Sequence, residues 1–234
     1  MGTRTGFADG QRGLAFADKP KGQLREYAET ILICVLVFVF LRGFVFQQSE
    51  IPSGSMEDTV LPGDYILVNR LSYAPTSFDW ERRLLPLGPI ERGDLVVFKH
   101  PDEPERDFIK RVIGLPGETV EVRGGFVFID GERLDEPYIN PLYRSRDFFG
   151  PRSVPPGEYF LMGDHRCDSA DSRAWKTTTV PKRLIKGRAF MILFSTTAPP
   201  VDGQPGRVTV KSTLRKLWYI AFRSRWDRAL RLIG

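Results

Sequence analysis

The sequence predicts a mainly β domain carried behind one N-terminal membrane-spanning helix. An unbroken apolar run from Ile31 to Leu41 predicts the helix, and a succession of short Val-, Ile- and Phe-rich runs after Glu50, set off by Gly, Pro and Asp, predicts the domain. No helix-period segment of comparable strength interrupts those runs. Across the 234 residues, apolar and charged fractions of 41% and 27% match ordinary globular proteins, which excludes global disorder and collagen-like classes.

Residues 1–24 mix Gly, Asp, Lys and Arg without periodicity and read as a solvated, disordered tail. The apolar run extends through Ala28 on one side and Gly43 to Phe46 on the other, interrupted only by Glu29, Thr30 and Arg42. A helix over 28–46 rises roughly 28 Å, enough to cross a bilayer. The stretch Arg42-Gly43-Phe44-Val45-Phe46 offers no small-residue cleavage site, so the segment reads as a retained anchor over 25–46 rather than a removed leader. Arg4, Arg12, Lys19, Lys21 and Arg25 precede it, whereas Glu50, Glu57, Asp58 and Asp64 follow with only Arg42 positive nearby. The positive-inside rule then puts the N-terminus in the cytoplasm and everything after Gln47 outside.

The expected strands are Tyr65 to Val68, Leu95 to Phe98, Phe108 to Ile113, Thr119 to Val122, Phe126 to Ile129, Tyr159 to Met162 and Ala189 to Phe194, with a hairpin turn or corner at Ile129-Asp130-Gly131. Two proline-rich stretches, Ser72 to Gly93 and Pro137 to Gly157, read as surface excursions. Near the C-terminus, Tyr219, Phe222, Trp226, Leu230 and Ile233 fall on one helical stripe, while Arg223, Arg225, Arg228 and Arg231 lie largely off it. That pattern predicts a basic amphipathic helix over 213–234, either lying in a membrane interface or packed on the β domain. The net charge of +5 comes without any nucleic-acid-binding motif, so lipid, not nucleic acid, is the expected partner of the basic ends. Cys34 and Cys167, one in the apolar run and one far downstream, predict neither a disulfide nor a metal site.

Three polar stretches are candidates for chemistry. Ile51-Pro52-Ser53-Gly54-Ser55-Met56 follows the span and by composition is a turn. In Phe108-Ile109-Lys110-Arg111-Val112-Ile113, alternation sets Lys110 beside Phe108 and Val112 and Arg111 beside Ile109 and Ile113, without choosing which cation is buried. The run from Gly163 to Arg173 is dense in Asp, Arg and Ser and by itself reads as a surface loop.

Taken in order, with Arg92-Gly93-Asp94-Leu95-Val96-Val97-Phe98 between the first two, these stretches resemble the boxes of the bacterial type I signal peptidases over roughly Phe46 to Phe194. The resemblance implies a coiled β-sheet catalytic domain over 47–212 outside the bacterial plasma membrane, and a serine endopeptidase that needs no cofactor. It would remove signal peptides from exported preproteins at Ala-x-Ala sites. Ser55 would be the nucleophile and Lys110 the general base; Ser53 and the Ser55 N–H would form the oxyanion hole. Ser169 would orient the lysine, supported by Asp171 and Arg173, and Ile51, Pro52, Val60, Phe108 and Ile109 would bind substrate. A lysine can serve as base only when neutral, which apolar surroundings promote by penalising its charge.

Two departures accompany the resemblance. Glu57-Asp58 stands where the family commonly has an apolar residue and proline, and His165 replaces the usual asparagine. His165 or His100, oriented by Asp164 or Asp168, is therefore a rival base for Ser55. A dedicated maturation protease for one secretion or conjugation partner and a catalytically silent, tethered β module are the alternative functions.

Overall fold

The computed structural model describes residues 23–74, 88–103, 105–197 and 224–233. The tail over 1–22, the middle of the first proline-rich stretch and residues 198–223 lie outside them. The chain forms two compact units, 1–39 and 40–234. Helix α1 spans Gln23–Phe40 and runs into a π-helical turn at Leu41–Val45. Its 23-residue apolar stretch has no residue buried against protein, as a lipid-facing helix requires and a core helix does not.

The second unit is built from β1 (Phe46–Glu50), β2 (Asp64–Asn69), β3 (Leu95–Lys99), β4 (Asp107–Gly114), β5 (Thr119–Arg123), β6 (Phe126–Ile129), β7 (Glu132–Arg133), β8 (Phe149–Ser153), β9 (Glu158–Met162), β10 (Val180–Pro181), β11 (Ile185–Ser195) and β12 (Arg231–Leu232). One antiparallel sheet runs β1-β2-β11-β3-β4-β9-β10, with β12 also paired to β11; a smaller one runs β7-β6-β5-β8. All seven strands expected from the sequence form. Register shifts in β11 and between Val112 and Gly114 of β4 add twist and bend the large sheet into a coil.

β3 and β4 read as near-continuous apolar runs because both faces are covered. Leu95, Val97 and Ile109 join a cluster with Ile51, Met56, Val60, Ile66 and Ile192, while Val96, Phe98 and Val112 join Leu161, Tyr159 and Val180 on the other side. Ile113 and Gly114 turn toward the small sheet, where a Cβ on Gly114 would overlap Val120 and Phe160. Only glycine permits that close approach.

Two expectations need correcting. The stretch 137–157 is not all surface excursion: β8 lies within it and pairs with β5, and Val154 is buried. Nor do residues 224–233 form a helix; the rest of the expected C-terminal helix lies outside the described residues. Ser224 bridges Thr196, a single 3-10 turn covers Trp226–Arg228, Leu230 takes φ 58°, and β12 pairs Met191 and Ile192. The buried Asp64 draws this segment into the domain, accepting from Arg228 at 2.7 Å and lying 3.4 Å from Arg225. Tertiary ion pairing overrides the helical stripe, leaving Trp226 and Leu230 exposed and Ile233 in the core.

Candidate active site

After β1 the chain leaves the sheet and coils through 52–63. Met56 and Val60, both fully buried, plug this turn into the core, and Glu57 N–H donates to the Gly54 carbonyl at 2.9 Å. Ser53 and Ser55 are thereby left facing outward, their Oγ atoms 3.5 Å apart.

Lys110 sits mid-strand on β4 with 1% of its surface exposed, and its Nζ meets Ser55 Oγ at 2.5 Å. Burial pushes its pKa down to about 8, Arg173 pushing the same way and the carboxylates Asp171, Asp164 and Asp168 resisting. That shift corresponds to about 3 kcal/mol against the charged form. Roughly a tenth of the molecules then hold a neutral lysine at pH 7. The sequence left open which of the adjacent cations is buried, and the structure buries both. Arg111, on the opposite face of β4, makes a two-pronged ion pair with Asp164 (2.9 and 2.7 Å), donates to the Gly93 carbonyl and lies over the Tyr138 ring.

The Asp171–Arg173 pair forms, with Arg173 Nε 2.9 Å from Asp171 Oδ1, and Arg173 also holds Asp147 and Ser145. Burial opposes ionisation of Asp171, but hydrogen bonds and charge from Arg173 outweigh it and hold the carboxyl below its ordinary value. Asp171 also accepts from the Gly163 N–H. Ser169 does not reach Lys110 with a hydrogen bond: its buried Oγ faces Asp171 without good geometry to any partner. A Cβ on Gly163 would overlap both Ser169 Oγ and the Ser55 carbonyl, so glycine lets this loop close on Ser55.

A cleft of about 360 Å³ adjoins Ser55. Ile51, Pro52, Ser53, Phe108 and Ile109 line it, together with Ser49, Glu50, Val97, Arg106 and Asp107. Val60 is not part of that lining. It lies in the core cluster with Ile51 and Ile109, supporting the wall from behind.

Neither histidine hydrogen-bonds Ser55 through its side chain. His100 Nδ1 accepts from the Asp102 and Glu103 N–H groups, and its ring packs on Phe108 and Trp175. His165 directs Nδ1 toward Glu57, and Asp164 is committed to Arg111. The rival triad is thus not assembled. Sequence reasoning missed the Arg111–Asp164 pair, although both residues lie inside quoted stretches, and the buried Arg166–Glu136 pair, which nothing in the spacing signals.

A family model described as signal peptidase, peptidase S26, matches residues 24–194. Signal peptidase I of Pseudomonas aeruginosa is 33% identical over 217 residues, covering 78% of this chain and 76% of that one. For signal peptidase I of Leptolyngbya laminosa the figures are 39% over 187 residues, 75% and 83%, and for that of Aquifex aeolicus 28% over 264 residues, 88% and 97%.

Proposed function

Because the chain belongs to the signal peptidase family, peptidase S26, we propose that this membrane-anchored signal peptidase cuts by acyl-enzyme chemistry, with Ser55 as nucleophile and Lys110 as base. The observation that carries this is the 2.5 Å contact between a nearly fully buried lysine and a serine at the edge of an apolar cleft.

Neutral Lys110 takes the hydroxyl proton as Ser55 Oγ attacks the scissile carbonyl carbon. The resulting oxyanion is held by the Ser55 N–H and the Ser53 hydroxyl, donors whose individual loss costs on the order of 3 kcal/mol in serine hydrolases. The lysine ammonium then gives its proton to the leaving amine. Water, activated by the same lysine, hydrolyses the ester and frees the signal peptide. Asp171 and Arg173 fix the Gly163 loop behind the lysine, with Ser169 filling the space beside it. Ile51, Pro52, Phe108 and Ile109 give the cleft apolar lining that suits the alanine side chains of an Ala-x-Ala site, and an extended substrate can pair its main chain with the cleft's walls.

The charge asymmetry around the span supports a cytoplasmic N-terminus and a catalytic domain on the outer face of the plasma membrane, with lipid rather than nucleic acid beside the basic segments. A dedicated maturation protease and a silent binding module find no support in relatives that carry the name signal peptidase I.

The test is cleavage of a model preprotein bearing an Ala-x-Ala site in liposomes. Ser55→Ala and Lys110→Ala are expected to be inactive yet folded and membrane-bound. Cleavage at wild-type rate by either variant overturns the role assignment.

A further inference from the structure

Glu57 and His165, 108 positions apart in the sequence, meet in space. His165 Nδ1 lies 3.2 Å from Glu57 Oε2, and the imidazole stacks on Tyr143 with ring centroids 3.9 Å apart. The His165 backbone N–H donates to the Ser55 carbonyl oxygen at 3.2 Å. One residue therefore grips the nucleophile's turn twice, by main chain at Ser55 and by side chain at Glu57. Asp164 adds a third point by accepting from Thr59 Oγ1 at 2.6 Å.

We propose that His165 and Glu57 are a positioning pair that fixes Ser55 for attack. The turn's internal hydrogen bond, from Glu57 N–H to the Gly54 carbonyl, sets its shape but not its place above β4. That place is set by Met56 and Val60 in the core and by contacts to the 163–169 loop. Among the latter, the His165–Glu57 contact joins a side chain of the loop to one in the nucleophile's own hydrogen-bonded turn. The histidine side chain is 14% exposed and the glutamate 37%, so the contact is partly shielded from water. The stack on Tyr143 holds the ring beside the carboxylate, with Nδ1 3.2 Å from Oε2 but without the alignment of a hydrogen bond. Proton transfer from Ser55 requires Oγ to stay within hydrogen-bond reach of Lys110 Nζ, and a displacement of about 1 Å is enough to cost on the order of a hundredfold in rate. His165 thus acts through Ser55 without touching substrate.

The proposal rests on Ser55 and Lys110 being the reacting pair, and the experiment separates the two. Steady-state kcat and KM on a signal-peptide substrate in liposomes are measured for wild type, Glu57→Ala, Glu57→Gln, His165→Ala, His165→Asn, the double alanine variant and Lys110→Ala. Thermal unfolding of each reports folding. Each alanine variant is expected to lose about tenfold in kcat with KM held within about twofold, since positioning acts on the chemical step. The double variant should be no slower than the slower single, because the two side chains act as one unit. Glu57→Gln, which keeps the size and shape of the side chain against His165, should recover most of the rate, and His165→Asn separates loss of the ring from loss of fold if His165→Ala unfolds. Unchanged kcat in folded single variants, losses that multiply in the double, or an effect confined to KM overturns the pair while Lys110→Ala stays dead. An active Lys110→Ala with a dead His165→Ala overturns the base assignment as well.

Discussion

Arg111 and Asp164 form a two-pronged ion pair with both side chains at or below 4% exposure, one residue along β4 from Lys110 and one residue before His165. Removing one partner leaves the other charge buried and uncompensated. Asp164→Ala should destabilise the domain by about 3–5 kcal/mol, read as a drop in the thermal or denaturant midpoint. Replacing both partners with apolar residues of similar volume should recover much of that loss.

On the proposed role of Lys110, its titration sets the pH dependence of cleavage. With its pKa at about 8, kcat/KM should rise through that value as the neutral base accumulates. Asp171 supports the charged form of Lys110, so Asp171→Asn should move the inflection to lower pH. A pH profile of kcat/KM for the two enzymes checks the direction; an inflection moving upward contradicts it.

Stability carries the same signature with the opposite consequence. Lys110 has a folded pKa of about 8 against 10.5 unfolded, so the unfolded chain binds more protons between those values and stability rises with pH across that window. Below pH 8 the fold bears the full burial penalty. Lys110→Met should therefore be inactive and more stable than wild type by about 3 kcal/mol at pH 7. That margin should shrink as pH rises through 8 to 10.5, which unfolding midpoints across the range would report.

Asp58 takes φ 79°, a left-handed conformation that proline, locked near −65°, cannot adopt. Asp58→Gly should stabilise by roughly 1 kcal/mol, and Asp58→Pro should destabilise and slow cleavage. A proline variant with unchanged stability and rate would contradict this backbone conformation.

Much of this was readable in the sequence, for identifiable reasons. The span and seven strands carry strong local patterns, and the quoted stretches held Ser55, Lys110, Asp171 and Arg173. β1 was not readable because Phe46-Gln47-Gln48-Ser49-Glu50 is mostly polar and is a strand only by pairing with β2. β8 hid among prolines, and β12 lay in a helical stripe overridden by the arginine pairs on Asp64. Val60 was expected in the cleft on the resemblance alone, and packing places it in the core cluster with Ile51 and Ile109 instead. The Glu57–His165 contact joins positions with no shared periodicity, so only the folded chain brings them together.

The neighbouring residues Asp164 and His165 have a dynamic consequence. Through Thr59, Ser55 and Glu57 they touch the turn that carries Ser55; through Arg111 they hold the strand that carries Lys110. A displacement of this dipeptide would therefore reach both side chains, because one short segment is tied to the turn and to the strand.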